Sequence, residues 1–402
     1  MSGLDEDRER RRLAWSATQA HILTGGGRLS RYYTRERFRV DELPHYYLLR
    51  DGAIHDVISA WLHDEQRMKK TSVQTKHVLN GAWRRTEFRG GDYVDTDTDV
   101  FNVQAGHLFV DLRFPADRAS FGTHAKRLED LSARELRILA RQHCFAGYGI
   151  FTRQDTSGRK EAMNVCTRHH AIDWNYHPQF PRQLPNKWRF VLGPDHGVQE
   201  TQSANDVCGV PGATFLSFEE YSVINDFLGR PLYFESWSRY PRDSNGARVL
   251  ALRRIRRTQG GSDAAAYLCI SGVHFAYAID ERSYSRLAVK GAVAGGCANL
   301  VDAAYRDDDI QLMRDLLRIE GSYGRVDKDW TILKSTYPWR EGEKLLCRDR
   351  DQIALVMGDL STPPTNQPCL VWNDVKWAVL ENTFPEAELV TLFAMFTNQA
   401  RL

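Results

Sequence analysis

The densest group of chemically capable side chains is Cys166-Thr167-Arg168-His169-His170-Ala171-Ile172-Asp173-Trp174, which holds two adjacent imidazoles, a guanidinium, a carboxylate and an indole. In a strand, alternate side chains point to opposite faces. Thr167, His169, Ala171 and Asp173 would then share one face, and Arg168, His170, Ile172 and Trp174 the other. A carboxylate in reach of one imidazole nitrogen sets the tautomer and raises the basicity of the other nitrogen. His169 and Asp173 are therefore expected as a catalytic acid/base pair, with Arg168 and His170 as substrate contacts. An ordinary half-buried strand needs one apolar face, and neither face here is apolar. A concave sheet with a polar interior suits the pattern.

Asp111 and Arg113 share a strand face in His107–Pro115, and Glu235 and Trp237 share one in Leu232–Tyr240. Structurally, the first two make an ion pair and the tryptophan a core residue. Functionally, all four line the cavity that holds His169, where Arg113 binds an anionic or carbonyl oxygen. Two same-face ligands on one strand do not make a metal site, and His107 and His274 would join only through folding, so neither a metal nor a cofactor is expected. No Gly-x-Ser-x-Gly elbow, Gly-x-Gly-x-x-Gly fingerprint or phosphate loop is present.

Bulk properties narrow the classes further. The chain has 402 residues, 42% of them hydrophobic, and a net charge of +2, so two or three soluble domains are expected. That charge gives no global field for nucleic acid or membrane. Seven scattered cysteines without a C-x-x-C pair suit reduced thiols in the cytoplasm. No apolar run of membrane-spanning length occurs.

The elements that must position these residues are mainly β. Residues 1–80 read as a helical extension, with amphipathic segments around Trp15 and from Ala53 to Met68. From Gly81 short alternating strands follow one another between turn signals, as in antiparallel barrels or sandwiches. A helix over Ser132–His143, opened by a Ser132/Glu135 capping box, interrupts the first series. A helix from Gly296 to Arg318, ending at Gly321, interrupts the second. Glu320–Arg325 reads as a turn, and Arg253–Arg257 as a basic edge strand guarded against aggregation. The expected division is an extension over 1–80, a first barrel over 81–245 and a second over 246–402.

Three stretches carry a resemblance: Trp83-Arg84-Arg85 leading to Leu108–Pro115, Cys166–Trp174, and Trp330 with Ser335–Gly342. Together they resemble calycin-like β-barrel proteins related to the yeast Hrr-interacting (Hri-type) protein. The resemblance covers about Gly81 to Leu402 and implies paired calycin- or lipocalin-like barrels, with no catalytic residue to carry over. Closed barrels of that size suit one small organic ligand. The expected function is a cofactor-independent lyase, isomerase or cyclase, and the alternative is a non-catalytic ligand-binding or protein-interaction scaffold. A homodimer is left open.

Overall fold

The computed structural model describes residues 79–116, 118, 125–154, 163–176, 186–193, 216–223, 230–240, 248–255, 264–282, 296–347, 353–357 and 368–393. The helical extension, with Trp15 and Trp61, lies outside them.

Nine strands form the first sheet: β1 (Gly81–Gly90), β2 (Tyr93–Asp95), β3 (Asp99–Ala105), β4 (Leu108–Phe114), β5 (His143–Gln154), β6 (Met163–Asp173), β7 (Asn186–Leu192), β8 (Ser217–Ser222) and β9 (Phe234–Arg239). All pairings are antiparallel, and β1 also pairs with β9, placing Trp83 opposite Arg239 and Phe88 opposite Glu235. That pairing closes eight strands into a barrel, with β2 as a short hairpin arm on β1. Closure satisfies both sheet edges, which an open strand would leave as unpaired backbone. It also creates an inside, and alternation sends every second side chain there.

The second half forms an eight-stranded antiparallel sheet in the order β14-β13-β12-β11-β10-β17-β16-β15. These strands are β10 (Val249–Arg254), β11 (Ala265–Ser271), β12 (His274–Asp280), β13 (Ile319–Arg325), β14 (Thr331–Ser335), β15 (Ile353–Met357), β16 (Pro368–Trp372) and β17 (Val375–Asn382). A second closed barrel was expected, but β14 and β15 do not pair with each other among the described residues. The barrel's outer face, with Val103, Leu108, Val110, Leu112, Tyr148 and Trp174, shares one core with Ala251, Tyr267, Cys269, Ala276 and Tyr323 of this sheet. Helices α1 (Ala133–Leu139), α2 (Gly296–Arg306) and α3 (Ile310–Leu316) cap that core through Leu136, Val301 and Met313. A fourth helix, α4 (Glu386–Phe393), packs Leu389 and Phe393 on the sheet's far face beside Trp330.

The capping box at Ser132 and Glu135 forms as expected, though the helix ends at Leu139 and His143 already opens β5. The long helix expected from Gly296 is instead α2 and α3, broken where Asp308 takes a left-handed φ of 55° and Asp309 caps α3. Glu320–Arg325 is no turn but the paired strand β13. Its glycines serve close approach: a Cβ on Gly321 would lie 2.5 Å from a Leu112 methyl and 2.6 Å from Cys144 Sγ, where the sheets meet. Arg253 and Arg254 sit on β10, which pairs on both sides and is no edge.

Candidate functional site

The barrel interior has two layers. Its aromatic layer gathers Trp83, Val100, Phe151, Cys166, Trp188, Phe190, Phe218 and Trp237 from strands all round the wall. Trp188, Phe218 and Trp237 stack in series, with centroids 6.1 and 5.6 Å apart, and Trp83 meets Phe218 edge-on at 4.8 Å. Offset stacked and edge-on pairs are the favoured aromatic geometries, so this layer fills its part of the barrel with a rigid floor.

Two residues along the same inward faces, the chemistry changes to charge. Arg85 Nη2 donates to Asp95 Oδ2 at 2.7 Å and its Nη1 to Glu235 Oε1 at 3.2 Å. Arg113 Nη1 donates to the same Glu235 oxygen at 3.0 Å and its Nε to Asp111 Oδ1 at 2.9 Å. Arg168 Nη1 donates to Asp111 Oδ2 at 3.2 Å, and Asn102 Nδ2 donates to that oxygen at 3.0 Å. The result is one chain of alternating charge, Asp95–Arg85–Glu235–Arg113–Asp111–Arg168, with three cations balancing three anions. Burial alone would push the Asp111 carboxyl up, but the Arg113 and Arg168 charges, with hydrogen bonds from Arg113 and Asn102, hold it down at about 2. The Arg168 guanidinium also lies over Phe109 and Trp188, 4.5 and 5.1 Å from their ring centres.

Glu220 stands outside that balance. It lies directly opposite Glu235 in the β8–β9 register, so the two side chains share a face. Tyr233 donates its hydroxyl proton to Glu220 Oε1 at 2.8 Å. Burial, and next the charge of Glu235, push the Glu220 carboxyl up to about 8, against the pull of Arg168, Tyr233 and Arg113. Burial and the neighbouring Glu235 charge thus favour the protonated form of Glu220.

Buried polar atoms in folded proteins almost always find a partner. This barrel is an exception at several points. Asn102 Oδ1, Gln104 Nε2, Arg168 Nη2, Trp188 Nε1, Glu220 Oε2, Glu235 Oε2 and Trp237 Nε1 are buried without a hydrogen-bond partner among the described residues. All seven belong to inward-facing residues of the one barrel. Four are donors and three accept or, on protonated Glu220, share the proton.

Cys166–Asp173 does lie on one strand, as expected, with Trp174 just past its end in a turn, but its alternation breaks. Ile172 pairs with Ala146 and His170 with Gly147, which leaves Ala171 as an extra residue, a β-bulge. Gly147 makes this possible, because a Cβ there would sit 2.0 Å from the His169 carbonyl oxygen. The bulge turns Asp173 to the side of Arg168 and His170. Asp173 Oδ2 therefore accepts from His170 Nδ1 at 2.7 Å, and the expected His169–Asp173 pair is replaced by His170–Asp173. The His170 ring packs beside Phe109 and Phe145. His169 is opposite Tyr148, on the outer face that meets the second sheet. Burial first, and then neighbouring His170, bring its pKa down to about 3, so it stays neutral.

Of the residues singled out in the sequence, Asp111, Arg113, Glu235 and Arg168 meet in the charged chain. Trp237 belongs to the aromatic floor, and His170 with Asp173 stands at the β6 end. There Arg282 of the second half donates to the Asp173 and Tyr176 carbonyl oxygens at 2.9 Å each. Arg85, Asn102, Gln104 and Glu220 escaped the sequence reading. The face-sharing that singled out Glu235 with Trp237 also pairs Glu220 with Phe218 and Arg85 with Trp83, and applied to β8 and β1 it would have found them. Among the described residues no three His, Cys, Asp or Glu side chains converge as metal ligands, and no helix is long and apolar enough to cross a membrane.

No protein-family model and no curated protein matches the chain. Among solved structures, the chain is similar to an uncharacterized protein from Saccharomyces cerevisiae, at 11% identity and a TM-score of 0.36, covering 75% of this chain and 98% of that one.

Proposed function

We propose that the first barrel is a receptor for one small polar organic molecule, and that the protein works by binding it rather than as a lyase, isomerase or cyclase. The observation that carries this is the set of seven unpartnered buried polar atoms on inward-facing residues of a single closed barrel. Leaving a buried donor or acceptor unsatisfied costs about 1–3 kcal/mol each. A guest with acceptors for Gln104, Arg168, Trp188 and Trp237 and donors for Asn102 and Glu235 would offset that cost. The balanced Arg/carboxylate chain supports the same reading, since it holds the polar wall rigid before any guest arrives and so lowers the entropy cost of binding.

The acid/base reading has less support. His169, on which it depends, lies on the outer face and stays neutral, while His170–Asp173 sits against Phe109 and Phe145. Kinship with calycin-like barrels belongs to the proposal too, because eight-stranded closed barrels have room for one small ligand where side chains do not fill them. Native mass spectrometry of the purified protein tests the reading. A small molecule that co-purifies at about one per chain and is lost in Arg168→Met supports it. Protein of bare polypeptide mass that takes up nothing from a metabolite extract refutes it.

A further inference from the structure

The charge balance inside the barrel says more about the guest than its polarity does. Asp95, Glu235 and Asp111 are each hydrogen-bonded to an arginine of the charged chain, and every guanidinium of that charged chain is already paired with at least one of those three carboxylates, Arg168 keeping one buried donor, Nη2, unpartnered. Asp173 is matched with His170, and Glu220 is a further buried carboxyl without a hydrogen-bonded guanidinium among the described residues; its hydrogen-bond donor is the neutral Tyr233 hydroxyl. A buried carboxyl in that position has two stable states. It carries a proton, or its charge is matched by a cation from outside. Glu220 and Glu235 are cross-strand neighbours, and such pairs have Cβ atoms about 5 Å apart. Each retains one unpartnered oxygen, Oε2, while both residues are almost wholly buried.

We propose that this carboxylate pair is a cation site for a small protonated amine, which enters the barrel and displaces the Glu220 proton to solvent. The inference rests on reading the barrel as a ligand receptor and names the chemical class of that ligand. An ammonium group offers three donors and no acceptor, and the barrel's unpartnered acceptors among the described residues are Asn102 Oδ1, Glu220 Oε2 and Glu235 Oε2. The stacked Phe218 and Trp237 rings neighbour the pair along β8 and β9, and aromatic faces attract cations. The four unpartnered donors on Gln104, Arg168, Trp188 and Trp237 call for an oxygen acceptor on the same guest, so amino alcohols and amino acids fit better than simple alkylamines. An inorganic cation fits worse, since it leaves those donors unmatched.

Binding is then linked to pH through Glu220. The groups that act on it are Glu235 of β9 and Tyr233 just before it, Arg168 of β6 and Arg113 of β4. From β7, Trp188 and Phe190 bring no charge to that face. Only the ionised fraction of Glu220 accepts the amine, and apparent affinity scales with that fraction. With the carboxyl raised by burial and by the Glu235 charge, that fraction increases as pH rises.

The test is calorimetric titration of the full chain with ethanolamine, ethylene glycol and glycolate, which share a size and differ in charge, in buffers of different ionisation heat. Ethanolamine should bind best, release close to one proton per molecule below neutrality and bind more tightly as pH rises. Glu220→Gln, nearly isosteric with the protonated acid, should abolish the proton release and weaken ethanolamine at least tenfold. If that variant does not fold, Tyr233→Phe serves instead. It removes a bond that favours the ionised form, so the proton-release profile should move to higher pH. Preferred binding of ethylene glycol or glycolate without proton release overturns the cation site and leaves the receptor reading standing. If none of the three binds, the cation site is likewise overturned, and the receptor reading then stands or falls on the co-purified molecule.

Discussion

Replacing Asp111 with asparagine keeps the shape of the side chain and removes the charge that joins Arg113 to Arg168. In the wild-type chain its two oxygens accept from Arg113 Nε at 2.9 Å, Asn102 Nδ2 at 3.0 Å and Arg168 Nη1 at 3.2 Å. After the change Arg113 keeps Glu235, but Arg168 loses the one carboxylate it hydrogen-bonds among the described residues. Its Nη2 is unpartnered already. A buried ion pair broken from one side typically costs about 3–5 kcal/mol, because the remaining charge is stranded. Linkage gives an independent lower figure. The carboxyl is held at about 2 against an ordinary 3.8, which corresponds to about 2.5 kcal/mol at neutral pH. The folded-state value is depressed, so this stability is present above the ordinary carboxylate range and is lost as pH falls toward 2. Equilibrium urea unfolding followed by tryptophan fluorescence reads the loss, since Trp83, Trp188 and Trp237 stand in the adjoining layer. Asp111→Asn should lower the unfolding free energy by about 3–5 kcal/mol, and adding Arg168→Met should restore part of it. A loss below about 1 kcal/mol, the range of exposed ion pairs, would refute the claim that the charged chain holds the barrel together.

Gly147→Ala should lower stability by about 1–3 kcal/mol or more, since its Cβ would collide with the His169 carbonyl oxygen; the same variant should release His170 from Asp173, visible in the imidazole nitrogen shifts. Glu220→Gln should flatten the pH dependence of melting: the folded carboxyl is raised to about 8, so its contribution is full below its ordinary range and lost as pH rises through 8. His169→Gln should leave ligand binding unchanged in the same calorimetric titrations, because His169 faces away from the interior. A fragment of residues 81–245 should aggregate on size-exclusion chromatography, because the face it shares with the second sheet would be laid bare; a monodisperse fragment would show that the first barrel stands alone.

Alternation along β4 and β9 marked Asp111, Arg113 and Glu235 in the sequence because period-two patterning survives wherever a strand is regular. It failed at Ala171, where the bulge depends on Gly147 of the neighbouring strand, and no one-strand pattern carries a partner's missing Cβ. Glycine misled in the same way at Gly321 and Gly324, which look like turn residues and instead let β13 lie close to Leu112 and Phe275. Closure through β1 and β9 spans more than a hundred residues of chain, and no local signal reports a pairing that distant. Glu220 was legible but unread, since its significance appears only when the three arginines are counted against the other carboxylates.

The most direct test of the central claim is a high-resolution crystal structure of protein purified without added ligand, inspected inside the barrel. The account predicts continuous non-protein, non-water density bridging the Glu220 and Glu235 Oε2 atoms and reaching the donors on Gln104 or Arg168. Ordered water that satisfies all seven atoms, or side chains rotated to satisfy one another, would contradict it.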